Sequence, residues 1–361
     1  MSGSLTTGKS FYPLQYAGFV SLIERIIVIG SGSAGRRHAL TFREIFPDSH
    51  IDIVKRSRSV QPLESLKDRR INTLREIPQI DNNNYDVAVI ASPSTFHLAD
   101  VKTLMTISRT ILIEKPLTSD LNSALELQQI LNNSGKKSAV AYHLKFSETV
   151  IVLKEKLQMS GLGRLISASL NYSQDLLLWR PNVDPRQSVS AREDLGGGVL
   201  LEFSHEIEAI HHLIGPIEWV SSKEMSFHGA PTDGKVDTIT SFIGETKNGV
   251  AISIHLDMLT RPPTREWNFV FENGEVNANL ISGEIFMSNR IAKFKKLHQS
   301  GPNERDRAGA LMLNRFANTS VTTKINLCDI DEGVKVMGVI DAVSRSAQSK
   351  RKEIVSVEIS N

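Results

Sequence analysis

An unbroken apolar run, Ile26-Ile27-Val28-Ile29, ends in Gly30-Ser31-Gly32-Ser33-Ala34-Gly35, and residues 39–46 behind it read as helix. Residues 86–91 and 110–113 are further apolar runs with no alternation, the pattern of strands buried on both faces of a parallel sheet. Residues 50–55 and 138–142 add two more strands. Residues 96–105 and 121–131 carry helical patterns, and residues 63–80 read as a helix-like segment and an approach loop with Pro78 near its end. Ser94 or Thr95 is placed to cap the helix that follows. This alternation up to about His143 predicts a doubly wound parallel sheet of the Rossmann type.

Beyond His143 the pattern changes. Residues 148–159 read as a helix. Residues 165–172, 237–244, 250–258 and 266–272 alternate as half-buried strands do. Asn273-Gly274 is a strong hairpin turn into residues 275–280. Residues 333–347 form a late amphipathic helix, and residues 354–359 a short last strand. The expectation is an α/β chain: an extension over residues 1–23, a dinucleotide-binding domain over 24–143, and over 144–361 an α/β domain with a large open, mostly antiparallel sheet. The polar-alternating face of that sheet is a candidate subunit contact.

The chain's 361 residues suit about two domains and allow burial of ~75% of the unfolded surface. A net charge of +2 gives no long-range pull toward nucleic acid or a membrane surface. The one cysteine, Cys328, excludes an internal disulfide and a cysteine-cluster metal site, which fits a reducing cytoplasm. No apolar run approaches the ~20 residues of a membrane helix. Residues 1–20, interrupted by Pro13, lack the ordered parts of a signal peptide. They read as a loosely held extension, or as sequence ahead of a true start near Val20.

The glycine run has a specific chemical meaning between a strand and a helix. Gly30 makes the tight turn, Gly32 admits a pyrophosphate close to the backbone, and Gly35 lets helix and strand pack. Ser33 and Ala34 open the helix, whose free N–H groups and dipole favour phosphate. A ribose-gripping acid is expected at the end of the second strand in NAD-binding versions of this unit. Here that position reads Lys55-Arg56-Ser57-Arg58. Basic and hydroxyl groups suit a 2′-phosphate, so NADP is expected, with NAD possible. His38 reads as structural, and His97 as a contact to the nicotinamide half.

Glu114-Lys115-Pro116 leaves a strand at its carboxyl end, the edge where open α/β sheets bind ligands. A lysine there can donate to a sugar oxygen, and a cis Lys-Pro bond would set its direction. Gly196-Gly197-Gly198 opens a second helical stretch, closed by Gly215-Pro216. On one helix Glu202 and His205 share a face, as an acid/base pair would. Glu202-x-x-His205 and Glu208-x-x-His211 imitate carboxylate-bridged iron motifs, but those sites need separate helices, and both copies read here as one helix; no metal is expected. Trp179, Arg180, Arg186 and Arg192 in the loop before the glycines suit a sugar bearing phosphate or carboxylate.

Together the glycine fingerprint with His38, the run Ala91-Ser92-Pro93-Ser94-Thr95-Phe96-His97, Glu114-Lys115-Pro116, and Gly196-Gly197-Gly198 leading to His205 resemble the glucose-fructose oxidoreductase / inositol dehydrogenase (Gfo/Idh/MocA) family. The resemblance runs from about Arg25 to Ile359. It implies that Ala91, Ser92, Pro93, His97, Glu114 and Lys115 join the glycine turn around the cofactor, with Glu114 near the nicotinamide ribose. It implies that His205 is the general acid/base and that Lys115 polarises the reacting oxygen. It further implies a homodimer or homotetramer. Lys115, His143, Trp179, Arg180, Arg186 and His205 are the expected substrate contacts. One departure is Glu202, where the family usually has Asp one residue further from the histidine. The shortened form also resembles a branch tied to polysaccharide and nucleotide-sugar pathways. The expected activity is hydride transfer at a sugar, cyclitol or nucleotide-sugar carbon. A redox glycosidase of the same fold and a non-enzymatic NADP-sensing regulator are the alternatives.

Overall fold

The computed structural model describes residues 23–55, 68–78, 84–159, 161–179, 184–291, 293–318 and 327–357. Arg56, Ser57, Arg58, Arg180 and nearly all of the N-terminal extension lie outside the described residues.

The first sheet holds β1 (Arg25–Ile29), β2 (His50–Val54), β3 (Ile71–Leu74), β4 (Tyr85–Ile90), β5 (Ser108–Ile113) and β6 (Lys137–Val140), with α1 (Ser33–Ile45), α2 (His97–Leu104) and α3 (Leu121–Ser134) between them. Every neighbouring pair is parallel, in the order β3-β2-β1-β4-β5-β6. The chain reverses direction across the sheet between β1 and β4, and a crevice opens there at the strands' carboxyl ends.

The second half contains α4 (Glu148–Met159), β7 (Leu165–Ser173), α5 (Leu176–Trp179), α6 (Val199–Glu202), α7 (His205–Leu213), β8 (Ile217–Met225), β9 (Ile239–Thr246), β10 (Ala251–Asp257), β11 (Thr264–Phe271), β12 (Gly274–Asn279), β13 (Glu284–Asn289), β14 (Lys295–Gln299), α8 (Glu304–Asn318), α9 (Ile330–Ser349) and β15 (Glu353–Ile354). Nine strands form one sheet, ordered β14-β13-β12-β11-β7-β10-β9-β8-β15. Only β7 and β10 pair in parallel. The expected fold class, a parallel Rossmann sheet plus a mostly antiparallel second sheet, is the one observed.

Alternate residues of β1, β2 and β4 point to opposite faces. Ile26, Val28, Ile51, Ile53, Val87 and Val89 pack with Phe42 of α1 and with Met312, Leu313 and Phe316 of α8. Ile27, Ile29, Ala88 and Ile90 share the larger core with α2, α3, α9 and the inner face of the nine-stranded sheet. A helix from late in the chain therefore covers one face of the first sheet.

Four expectations change. Residues 71–74 form an edge strand; Ile71 and Leu74 lie three apart, which imitates helical spacing. α8, β8, β13 and β14 were not anticipated, and α8 buries just Ala308, Met312, Leu313 and Phe316 along a mostly polar segment. Neither Ser94 nor Thr95 caps α2, because a 3-10 turn over Ser94–Phe96 precedes it without a side-chain cap. The helix expected through residues 199–213 breaks at Phe203 and Ser204 into α6 and α7.

Candidate active site

The crevice at the β1–β4 reversal is walled by backbone. Gly30 sits at φ +104°, and a Cβ on it would lie 2.4 Å from the carbonyl oxygen of Ala91. A Cβ on Gly35 would lie 1.9 Å from the carbonyl oxygen of Gly30, so helix and turn can only meet without side chains. Gly32 opens α1 with no side-chain cap, and the first turn carries no acid. The opening amides of an α-helix have no intrahelical partner. The position of Gly32's absent Cβ faces open space. Unpaired donors, no anion and an open approach fit the diphosphate of a dinucleotide.

Glu114 follows β5 and is 8% exposed. His38 Nε2 lies 2.6 Å from its Oε1, Arg37 Nη2 lies 3.5 Å away, and the Lys115 amide donates to Oε2 at 3.1 Å. Burial works to raise the Glu114 carboxyl, but the His38 hydrogen bond and charge, with Arg37 and Lys115, outweigh it and hold the group well below the usual carboxylate range. Glu114 is therefore an anion tied to α1.

The Lys115-Pro116 peptide is cis. Lys115 Nζ donates to the Glu202 carbonyl at 2.9 Å and to Glu202 Oε2 at 3.1 Å. Ser190, 1% exposed, donates from Oγ to Glu202 Oε1 at 2.8 Å. These bonds use two of the ammonium's three donors, so one remains for a ligand oxygen. The pairing of Glu202 with His205 expected from a shared helix face is corrected here. The chain breaks between them, and Glu202 serves Lys115 instead.

His205 begins α7 and is 7% exposed, with a buried Nδ1 that has no partner among the described residues. The rings of His143 and Tyr142 meet it edge-on, with centroids 4.8 and 5.3 Å away. Tyr142 reaches on to Ser204 Oγ at the helix break, 3.1 Å away. Burial first, then the charges of His143, Lys115, Arg265 and Arg305, push His205 well below its ordinary value. Burial with Arg37 and Arg305 takes His143 down to about 3. Both imidazoles are neutral at neutral pH, and a neutral imidazole can take up a proton.

Three features of the site, the expected Trp179 apart, were not read from the sequence. Arg265 of β11 pairs with the fully buried Glu206 at 2.7 Å and lies over the Tyr172 ring, 4.4 Å from its centroid. Tyr172 meets Phe203 at a tilt with centroids 4.1 Å apart, and Trp179 also packs on Phe203 at 5.4 Å. Arg305, at the start of α8, lines a cleft with Arg37, His38 and His143. Tyr172 lies on the alternating β7; Arg265 and Arg305 lie far from any motif.

The other expected residues are placed as follows. Ala91 donates its amide to Ile29 and ends β4 beside the glycine turn, and Pro93 leads into the 3-10 turn. Ser92 Oγ donates to Asp100 at 2.6 Å. His97 is 1% exposed, with Nδ1 3.0 Å from the Leu117 carbonyl and Nε2 2.9 Å from the Ser92 carbonyl. It braces two loops from inside and has no ring nitrogen left for a cofactor, which corrects its expected contact. Arg186 is exposed in a short turn, and Arg192 is paired with Asp194 at 2.9 Å. The second Glu-x-x-His pair lies apart from this site: Glu208 is held by Lys145 at 2.8 Å, and Lys145 also reaches Glu332 at 3.3 Å. Glu208, Cys328 and Glu332 bring ligand-type atoms together around that ammonium.

Comparisons with known proteins agree with this arrangement. Residues 24–142 match the family model described as an oxidoreductase family with an NAD-binding Rossmann fold, and residues 150–277 match the GFO/IDH/MocA C-terminal domain. Oxidoreductase P35 of Formosa agariphila is 22% identical over 269 residues, covering 73% of this chain and 79% of that protein. Levoglucosan dehydrogenase in complex with NADH superposes with a TM-score of 0.78 at 16% identity, over 92% of this chain and 99% of its own. The WlbA dehydrogenase from Bordetella pertussis in complex with NADH and UDP-GlcNAcA does so with a TM-score of 0.74 at 16% identity, over 92% and 99%.

Proposed function

The chain belongs to the Gfo/Idh/MocA family of NAD-binding oxidoreductases, and from that premise we propose that it interconverts a hydroxyl and a carbonyl on a sugar, cyclitol or nucleotide sugar. One observation carries the proposal: Lys115, which follows β5 of the first sheet, donates to the carbonyl and carboxylate of Glu202, three residues before His205 of the second half. Solved proteins of this fold include levoglucosan dehydrogenase in complex with NADH and levoglucosan and the WlbA dehydrogenase in complex with NADH and UDP-GlcNAcA, which supports a nicotinamide cofactor and a sugar-like substrate.

Bound along Gly30, Gly32, Ser33, Ala34 and Gly35, a nicotinamide dinucleotide supplies or accepts the hydride. Glu114, tied to His38, would stand toward the ribose of the bound cofactor. The spare donor of Lys115 grips the reacting oxygen, and Glu202, held by Ser190, keeps the ammonium aimed. In the oxidising direction the neutral His205 ring accepts the hydroxyl proton and becomes imidazolium; in the reducing direction the ring first takes a proton from solvent and then donates it to the carbonyl oxygen. Trp179, packed on the buried Phe203, offers a partly exposed apolar face to a sugar, with the His143 ring edge-on to His205.

Three finer parts belong to the same proposal. The basic run from Lys55 to Arg58 favours NADP over NAD. The open face of the nine-stranded sheet joins copies of the chain into a dimer or tetramer. The working compartment is the cytoplasm. Fluorescence titration with NADPH and NADH tests the first, and a screen of sugars and nucleotide sugars by reduced-nicotinamide absorbance tests the reaction. Tighter NADPH binding and turnover of at least one sugar are expected. Binding of neither cofactor overturns the reading.

A further inference from the structure

The charges of four cations act on the imidazoles of His143 and His205: Lys115, Arg37, Arg265 and Arg305. Three of them have a carboxylate of their own. Lys115 has Glu202 at 3.1 Å, Arg265 has Glu206 at 2.7 Å, and Arg37 has Glu114 at 3.5 Å. Arg305 has no ion pair or hydrogen bond among the described residues. Its chain neighbour Asp306 shares the cleft rim and attracts it without pairing. An exposed arginine without a partner is ordinary on open surface. This one faces a cleft with Arg37, a like charge, and with His143, whose ring stands 4.8 Å from His205. Like charges at a partly desolvated wall repel, and a bound anion removes the repulsion.

We propose that Arg305 binds an oxyanion carried by the substrate, a carboxylate or a phosphate, so that this cleft selects an acidic sugar, a sugar phosphate or a nucleotide sugar over a neutral sugar. The proposal rests on the oxidoreductase reading above. A cofactor diphosphate is the other source of such an anion. It already has donors in the first turn of α1, whereas Arg37, His38 and Thr41 lie further along the helix on the face toward α8. Of the arginines expected to do this work from the sequence, Arg192 is paired with Asp194, Arg186 is exposed in a turn, and Arg180 lies outside the described residues.

Calorimetric titration of the cofactor-loaded protein tests the proposal, using glucose, glucuronate, glucose 6-phosphate and UDP-glucose against wild type, Arg305→Met and Arg305→Lys. Arg305 is exposed at a helix start and makes no ion pair among the described residues, so the variants should melt no lower than wild type. At least one anionic ligand should bind wild type about ten- to a hundredfold tighter than glucose. That ratio should fall to about one in Arg305→Met and recover in part in Arg305→Lys, with cofactor affinity unchanged. No anionic preference in wild type overturns the proposal, as does a preference undiminished in Arg305→Met. A loss confined to cofactor affinity overturns it too, by assigning Arg305 to the cofactor's phosphates. Anion selectivity with no hydride transfer would instead overturn the oxidoreductase reading and leave the anion site standing.

Discussion

Replacing His143 by Gln gives a stability difference whose pH dependence follows from the structure. His143 is held at about 3 against an ordinary 6.5, by burial and by Arg37 and Arg305. Its native value is depressed, so the native state binds fewer protons than the unfolded chain between those limits. The stability this represents is fully present above the ordinary value and is lost as pH falls toward the native one. At about pH 5 an unfolded histidine gains ~2 kcal/mol from protonation that the native ring forgoes; at about pH 7.5 it gains less than ~0.1 kcal/mol. A native value anywhere at or below about 4 leaves this figure unchanged. Glutamine does not titrate, so the destabilisation caused by His143→Gln should shrink by ~2 kcal/mol between about pH 7.5 and pH 5. The carboxyls of Glu206 and Glu208 that burial raises titrate in both proteins and cancel in the difference, and burial with the charges of Lys115, Arg265 and Arg305 keeps His205 low in both. Urea unfolding of both proteins at both pH values gives the number by linear extrapolation. A change below ~0.5 kcal/mol would refute the reasoning, because His143 would then be taking up its proton in the folded protein.

Three other predictions follow from particular contacts. Lys115→Met and His205→Asn should each lower kcat by about two to four orders of magnitude with cofactor affinity within a few-fold of wild type, measured by steady-state rates and fluorescence titration. Gly30→Ala must place a methyl where the Ala91 carbonyl stands, at a φ of +104°; a loss of ~1–3 kcal/mol in stability and weaker cofactor binding are expected, and unchanged melting and affinity would contradict the turn geometry. Arg265→Met strands the buried Glu206 carboxylate and should destabilise by about 3–5 kcal/mol, with Arg265→Met/Glu206→Gln recovering most of it in denaturant titrations.

Much of the fold was legible because buried parallel strands write themselves plainly. Ile26 to Ile29 and Val87 to Ile90 are apolar without interruption, and the Gly30–Gly35 turn follows the first of them directly. β3 was missed because an edge strand with Ile71 and Leu74 half-exposed and Asn72 and Thr73 fully exposed carries almost no periodic signal. α8 was missed because its buried stripe is narrow and it packs on a sheet more than 150 residues earlier in the chain, which no local pattern records. At the site, Lys115 and His205 were readable from their positions at a strand end and after a glycine run. The partner of Lys115 was not: a continuous helix puts Glu202 beside His205, and the break at Phe203 and Ser204 turns it toward the lysine. His97 misled for the opposite reason. Its place in the chain is at the cofactor edge, while its ring points inward to two carbonyls. Arg37, Arg265 and Arg305 converge only in three dimensions, from α1, β11 and α8.

The claim at the centre of this account is that a hydride crosses between a nicotinamide and a sugar carbon under Lys115 and His205. A single-turnover experiment with reduced cofactor deuterated at the transferring position tests it, with mass spectrometry of the sugar fraction from a panel of keto-sugars and keto-nucleotide sugars. Wild type should place one deuteron on the sugar, and Lys115→Met and His205→Asn should leave it on the cofactor. Label that stays on the cofactor with wild type across the panel, or that reaches the sugar undiminished in both variants, would contradict the account.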